Sequence, residues 1–171
     1  MADAMPQVRS ATTAELAPAE LSAIRSLLER AFDGDFSEHD WQHCLGGLHA
    51  LAYSETALVG HGSVVERRFE HDGRQMKTGY VEGLAVLREH RRHGHGAAIM
   101  RALEAHVRQG YELGALAATA EAIGFYAARG WVRWTGATEP DGEGAIHVLP
   151  LALPVDPSGT LRADWREGDV W

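Results

Sequence analysis

The stretch that decides the fold is GYVEGLAVLREHRRHGHG, residues 79–96. Its first half, Tyr80 to Val86, is β-type, mixing an aromatic and branched residues with small ones. Its second half is polar and basic, with glycines at 94 and 96. Beyond it, Ile99, Ala102, Leu103, His106 and Val107 recur at helical spacing, and Gly110 is the expected C-cap. Strand, basic loop, Gly-x-Gly and helix together suit an anion. The N–H groups of a helix's first turn lack intrahelical acceptors and carry partial positive charge. Glycine lets the backbone close on a phosphate, and Arg88, Arg91 and Arg92 add charge around it. No Gly-Lys-Ser/Thr follows, so the loop is not of Walker type, and the third glycine of a Rossmann fingerprint is missing.

Working outward, Val8–Thr12 reads as a short strand. After Pro18, Leu21, Ile24, Leu28 and Phe32 form an apolar stripe, predicting a helix that ends near Gly34. Ser37 with Asp40 resembles a capping box before Trp41, Cys44 and Leu45, and Gly46-Gly47 ends that helix. Leu48 to Phe69 is β-type, and His71-Asp72-Gly73-Arg74 is a hairpin turn leading into a returning strand, Met76–Val86. Downstream, Leu113–Ala118 is a strand, Glu121–Ala128 a helix, Trp131–Trp134 a strand, Glu139–Gly144 an acidic loop and Ile146–Leu151 a strand. Residues 154–171 read as a tail. An antiparallel hairpin followed by a β-loop-α unit indicates an α/β mixed sheet with helices on both faces.

The chain has 171 residues, 45% hydrophobic and 23% charged, which fits one globular domain and excludes disorder or coiled coil. No apolar run approaches a membrane span, and the start carries no signal-like segment, so a cytoplasmic location is expected. A single cysteine cannot form an internal disulfide. The formal net charge of −8 disfavours nucleic acid and suits a cationic ligand. His39 and His43 stand at a metal-compatible spacing, but no third ligand is evident and the pattern is not His-Glu-x-x-His, so no metal is expected. Cys44, on an apolar helix face, reads as core, and Trp131 and Trp134 as packing residues.

Arg91-x-x-Gly94-x-Gly96, directly after a strand and opening a helix, resembles the acetyl-CoA pyrophosphate loop of the GNAT superfamily of N-acyltransferases. Phe125-Tyr126-Ala127-Ala128-Arg129-Gly130-Trp131 is similar to that superfamily's second motif. The likeness narrows to the aminoglycoside 2′-N-acetyltransferases through Phe32-Asp33-Gly34-Asp35-Phe36, Asp40-Trp41, Leu45 to Leu51, Arg67-Arg68, Gly79 to Gly83, Gly114-Ala115-Leu116 and Asp164-Trp165-Arg166 to Asp169-Val170-Trp171. It runs over nearly the whole chain.

That resemblance implies one GNAT domain over residues 1–171. Its sheet is mostly antiparallel with a splayed central strand, and residues 154–171 fold back toward the substrate cleft. It implies acetyl transfer from acetyl-CoA to an aminoglycoside amine, and homodimerisation. Glu82 is the implied base and Tyr126 the implied acid, a phenol with pKa near 10 being able to protonate a thiolate of similar basicity. Counting by twos puts Tyr80, Glu82, Leu84 and Val86 on one face. N–H groups near Leu84 would stabilise the oxyanion, with Gly83 permitting the splay. Leu84, Ala85, Val86, Arg91, Arg92, His93, Gly94, His95 and Gly96 would hold the cofactor. Asp35, Trp41, Glu82, Gly83, Ala117, Asp169 and Trp171 with its carboxylate would meet substrate, as would Asp141 or Glu143. Some members carry serine where this chain has Ala117, and the 138–144 loop is shorter than in some. Removing Asp169–Trp171 is expected to weaken aminoglycoside binding while leaving stability nearly unchanged. The alternatives are another amino-sugar such as kasugamycin, another cellular amine, or an acyl-CoA-binding domain without catalysis, which would need neither Glu82 nor Tyr126.

Overall fold

The computed structural model describes residues 6–142, 144–151 and 153–171. Their contacts separate into two compact units, one of residues up to Val65 with Val81–His106, the other of Glu66–Tyr80 with Val107–Trp171.

The first unit contains β1 (Gln7–Thr12), α1 (Pro18–Ala31), α2 (Glu38–His43) and β2 (Leu48–Ser54). It also takes the start of β3 (Ala57–His71), the end of β4 (Arg74–Val86) and most of α3 (His95–Gly110). β1 runs antiparallel to β2 from Gln7↔Tyr53 to Thr12↔Leu48, and β2 antiparallel to β3 from Leu48↔Val64 to Ser54↔Ala57. The single β-type run expected from Leu48 onward is thus two strands. Glu55, at φ 53°, turns the chain between them, a conformation that nothing in its side chain announces.

The capping box at α2 forms as its spacing predicts: Asp40 N–H donates to Ser37 Oγ at 3.2 Å, and Ser37 N–H donates to Asp40 Oδ2 at 2.7 Å. α1 ends in a Schellman closure, with Gly34 N–H on Glu29 O at 2.9 Å and Asp33 at φ 53°. That turn swings Phe32 out, and it is 38% exposed rather than part of the apolar stripe. Leu27 joins Ile24 and Leu28 instead, packing with Trp41, Cys44, Leu51 and Leu87. Cβ atoms placed on Gly60 and Gly62 would each come 2.9 Å from Ile99, so α3 lies close over this face of β3. On the opposite face a Gly83 Cβ would fall 2.6 Å from Cys44 Sγ, at the end of α2, and 3.4 Å from the His61 ring. Helices therefore cover both faces of these strands.

The second unit holds the rest of β3 and β4 with β5 (Leu113–Ala118), α4 (Ile123–Ala127), β6 (Val132–Arg133), β7 (Thr138–Glu139), β8 (Ala145–Pro150) and β9 (Leu161–Arg162). β4 pairs parallel with β5, Thr78 opposite Leu113, whereas β5 and β6 both run antiparallel to β8. Asp72 and Gly73, at φ 52° and 73°, make the hairpin turn expected for Asp-Gly. Residues after Pro154 are more than a tail, because β9 pairs antiparallel with β3 at Glu70↔Arg162 and parallel with β7. Trp131 and Trp134 are buried, as packing residues should be.

Candidate active site

In the first unit the site is built where β4 gives way to the basic loop. Gly83 sits inside β4 at φ 54°, and a Cβ there would fall 2.6 Å from Cys44 Sγ, so no side chain fits. This left-handed residue interrupts the strand's alternation, and counting by twos across it no longer assigns Glu82 to the face of Leu84 and Val86. Leu84 lies over Gly62 and Val86 over Gly60, on the α3 side. Glu82 is half-buried, and its carbonyl accepts from Ser63 Oγ at 3.4 Å. The Gly83 carbonyl lies 2.8 Å from His61 Nδ1; His61 Nε2 is 2.9 Å from His49 Nδ1, and His49 Nε2 is 2.7 Å from Thr13 Oγ1. Burial lowers the pKa of His49 to about 4 and of His61 to about 3.

The loop after β4 is shaped by two left-handed residues, Arg92 at φ 63° and Gly94 at φ 81°. Arg91 Nε donates to Val86 O at 2.9 Å, tying the loop to the strand end. Gly94 O accepts from Ala98 N at 3.0 Å, so the next N–H groups, with Gly96 at the second position of α3, open the helix. Among the described residues, a Cβ on Gly94 would meet only Pro6 Cγ, at 3.6 Å. His95 is buried, and its Nδ1 has no hydrogen-bond partner among the described residues. Burial first, and then the neighbouring His90 and His93, lower its pKa. A buried nitrogen without a partner beside a helix N-terminus fits a ligand carrying phosphate oxygens and hydroxyls. His93, Arg91 and Arg92 are exposed around it. Arg88 lies 3.9 Å from Asp33, and Arg30 pairs with Glu89.

Asp35 and Trp41, expected at the substrate, differ in access. Asp35 is exposed just beyond α1, its N–H on Phe32 O at 3.0 Å. Trp41 is 7% exposed and belongs to the core, where α2's apolar face needs it. Packing accounts for it without a ligand.

In the second unit Tyr126 is buried in α4, with the rings of Phe125, Trp131 and His147 at 5.2, 6.2 and 6.2 Å. Trp131 N–H donates to Tyr126 O at 3.2 Å, so Gly130 (φ 88°) and Trp131 fold back onto this helix. Burial pushes the Tyr126 phenol up to about 12, above the value near 10 on which the matched-acidity argument rested. Ala117 is exposed on β5.

The same unit gathers Asp141, Asp169 and Trp171 around one pocket with Pro140, Gly168 and Val170. Glu143, the other acidic candidate of this loop, lies outside the described residues. Trp171 is 4% exposed, its Nε1 donating to Pro140 O at 2.7 Å and its ring edge-on to Phe69 at 5.3 Å. Asp169 Oδ1 accepts from Trp171 N–H at 3.0 Å. The anchor is Arg67, itself 4% exposed: Nε meets Asp164 Oδ1 at 2.9 Å, and its other nitrogens donate to the carbonyls of Asp164 and Val170. Trp165, by contrast, is 78% exposed.

Reading by motif assigned no role to His49, His61, Arg67 or His147. Each is a buried polar residue in a strand, and that was the available signal: His61 stands between Gly60 and Gly62 in an otherwise apolar run. Among the described residues no group of three or more His, Cys, Asp or Glu is placed to hold a metal, and no helix is long and apolar enough to cross a membrane.

One unit thus carries a glycine-broken strand and an anion-ready helix start, the other a buried tyrosine, and the class these belong to is the GNAT acetyltransferases. Residues 16–131 match the family model described as Acetyltransferase (GNAT) family, and the chain belongs to that family. It is 38% identical, over 93% of its length and 89% of the relative's, to an aminoglycoside 2′-N-acetyltransferase of Mycolicibacterium fortuitum. Among solved structures it resembles a GNAT family acetyltransferase from Brucella melitensis in complex with acetyl-CoA, with a TM-score of 0.63, 17% identity, and coverage of 91% and 94% of the two chains. A probable N-acyltransferase from Enterococcus faecalis gives a TM-score of 0.64 at 17% identity. There the match covers 77% of this chain and spans about a third (33%) of that longer one. At these identities the structures speak for the fold.

Proposed function

We propose that this chain moves the acetyl group of acetyl-CoA onto the 2′-amine of an aminoglycoside, acting as a single domain over residues 1–171 in the cytoplasm. The observation that carries the reading is the 38% identity, spread over 93% of the chain, to the M. fortuitum enzyme of that activity. The pocket with Asp141 and Asp169 supports it, since a polycationic sugar needs several anions and each charged hydrogen bond contributes about 1.5–3 kcal/mol.

In this reading Glu82 removes a proton from the substrate ammonium, directly or through a water, so that the amine becomes a nucleophile. The Leu84 N–H donates to the thioester oxygen as it gains charge. Arg91, Arg92, His95 and the first turn of α3 hold the pyrophosphate. Tyr126 Oη–H donates toward the departing sulfur. Its burial keeps the phenol protonated at every working pH, as an acid must be. The same burial makes full transfer about 3 kcal/mol harder than from a free phenol, unless the sulfur is equally desolvated.

The experiment is thiol release from acetyl-CoA over a panel of aminoglycosides with and without a 2′-amine. Gentamicin and tobramycin are expected to react, while kanamycin A and amikacin, with a 2′-hydroxyl, are not acetylated at that position. Product NMR placing the acetyl group on another ring would overturn the aminoglycoside assignment and leave the family intact.

A further inference from the structure

We propose that Thr13, His49 and His61 form a one-directional hydrogen-bonded relay that aims the Leu84 backbone N–H by holding the Gly83 carbonyl. The inference rests on the reading above in which that N–H faces the thioester oxygen.

All these residues lie in the first unit, and elementary bonding rules fix the direction of the chain. A carbonyl only accepts, so His61 Nδ1, 2.8 Å from Gly83 O, carries the hydrogen. Neutral imidazole then leaves His61 Nε2 as an acceptor, and the donor 2.9 Å away must be His49 Nδ1. His49 Nε2 is an acceptor in turn, and the Thr13 hydroxyl donates to it at 2.7 Å. Thr13 Oγ1 finally accepts the Gly46 N–H at 2.9 Å. Every ring nitrogen is used once, and all the hydrogens point toward Gly83. Both histidines are fully buried, which keeps the rings neutral and the direction unambiguous.

A proton wire is the rival use of such a chain, and this one ends in the wrong group. An amide carbonyl does not take up a proton at ordinary pH, so nothing can pass beyond His61. What a carbonyl can do is be held. The peptide between Gly83 and Leu84 is planar, and in a trans peptide C=O and N–H point in opposite directions. Fixing the Gly83 oxygen therefore fixes the Leu84 N–H. Glycine at φ 54° has the widest conformational freedom of any residue, so the aim needs an external tie. A donor on the carbonyl also polarises the amide and strengthens its N–H, and donors in series reinforce one another. His61 and His49 are thus positioning residues that act through a peptide group.

The test uses the full chain and has two arms. In 15N-edited NMR both His49 and His61 should show the Nδ1–H tautomer and no titration between pH 5 and 8. An Nε2–H tautomer at His61, or titration of either ring near its ordinary pKa, would overturn the relay without any activity measurement. In kinetics, His61→Phe should lower kcat roughly 10- to 10²-fold, less than the roughly 10²- to 10³-fold for an oxyanion donor removed outright because the Leu84 N–H is misaimed rather than lost, with KM for acetyl-CoA within about twofold. His61→Asn keeps an N–H near the Nδ1 position and should recover most of the loss, which a merely structural histidine would not predict. A folded His61→Phe variant with unchanged kcat sinks the relay while leaving the proposed reaction standing. Where that variant does not fold, the isosteric Thr13→Val change, expected to cost a few-fold in kcat, and the NMR arm decide. If the unaltered chain acetylates no 2′-amine, the proposed reaction fails, and the NMR arm still judges the relay.

Discussion

In the first unit the buried polar network runs through Thr13, His49, His61 and the Gly83 carbonyl and carries no net charge. In the second it centres on Arg67, charged at every pH the protein meets, and its partners are Asp164 and two carbonyls of the C-terminal segment. Each network holds backbone beside a proposed functional group, Leu84 in one case and Asp169 and Trp171 in the other. They differ in how they fail. A neutral network loses one modest hydrogen bond at a time, whereas removing one member of a buried charged one leaves its partner uncompensated. Orientation can be entrusted to the first kind, and attachment of a chain segment to the second.

The sharpest way to break that contrast is to delete Asp169–Trp171. The sequence alone suggested that stability would be nearly unchanged. Trp171, 4% exposed and seated on Phe69, instead predicts a loss of about 4 kcal/mol by urea denaturation, in the range for removing a buried tryptophan. KM for aminoglycoside should rise with KM for acetyl-CoA unchanged. A truncated protein as stable as the full chain would mean that the segment is not anchored as described.

Arg67→Met keeps apolar volume between Phe69 and Tyr80 and removes the charge that lies 5.1 Å from each ring. It should cost about 3 kcal/mol, the lower end for a broken buried pair, because Asp164 keeps 39% of its side chain in water. A neutral or stabilising result would show that the charged anchor serves specificity rather than stability.

Acid should expose the neutral network. The unfolded chain protonates its histidines as pH falls through about 6.5, while folded His49 and His61 resist until about 4 and 3. Between those limits the unfolded state binds more protons, so stability present above pH 6.5 drains away as pH drops. His49→Gln should show a shallower loss between pH 7 and 4.5 than the unaltered chain, read from urea midpoints. Parallel curves for the two proteins would refute the buried neutral ring.

The smallest effect is expected at Trp165, a large aromatic left 78% exposed. Trp165→Ser should change stability by less than about 0.5 kcal/mol. A larger loss would mean that the residue is covered by something in solution.

Much of this molecule could be read locally. The Asp72-Gly73 turn, the Ser37–Asp40 box and the glycine-bearing opening of α3 each depend on φ preferences or hydrogen bonds spanning a few residues, and all three formed as their patterns predict. The strand Leu113–Ala118 matched residue for residue, as a short apolar run between the polar Glu112 and Thr119, although its Leu, Gly and Ala are not strong strand formers. Local pattern also carried the family resemblance, since the phosphate loop and the Tyr126 to Trp131 motif are contiguous in sequence.

What only the tertiary structure decided were the partners of buried polar groups. Arg67 finds Asp164 across nearly a hundred residues, His49 finds Thr13 and His61, and residues after Pro154 become a strand against β3 and β7. It also decided the acidity of Tyr126, whose phenol was expected near 10 and stands near 12 because the rings around it exclude water. The physical reason is common to all. A turn or cap is satisfied by its immediate neighbours, whereas the partner of a buried polar group, and the water it loses, depend on which distant strand folding lays beside it.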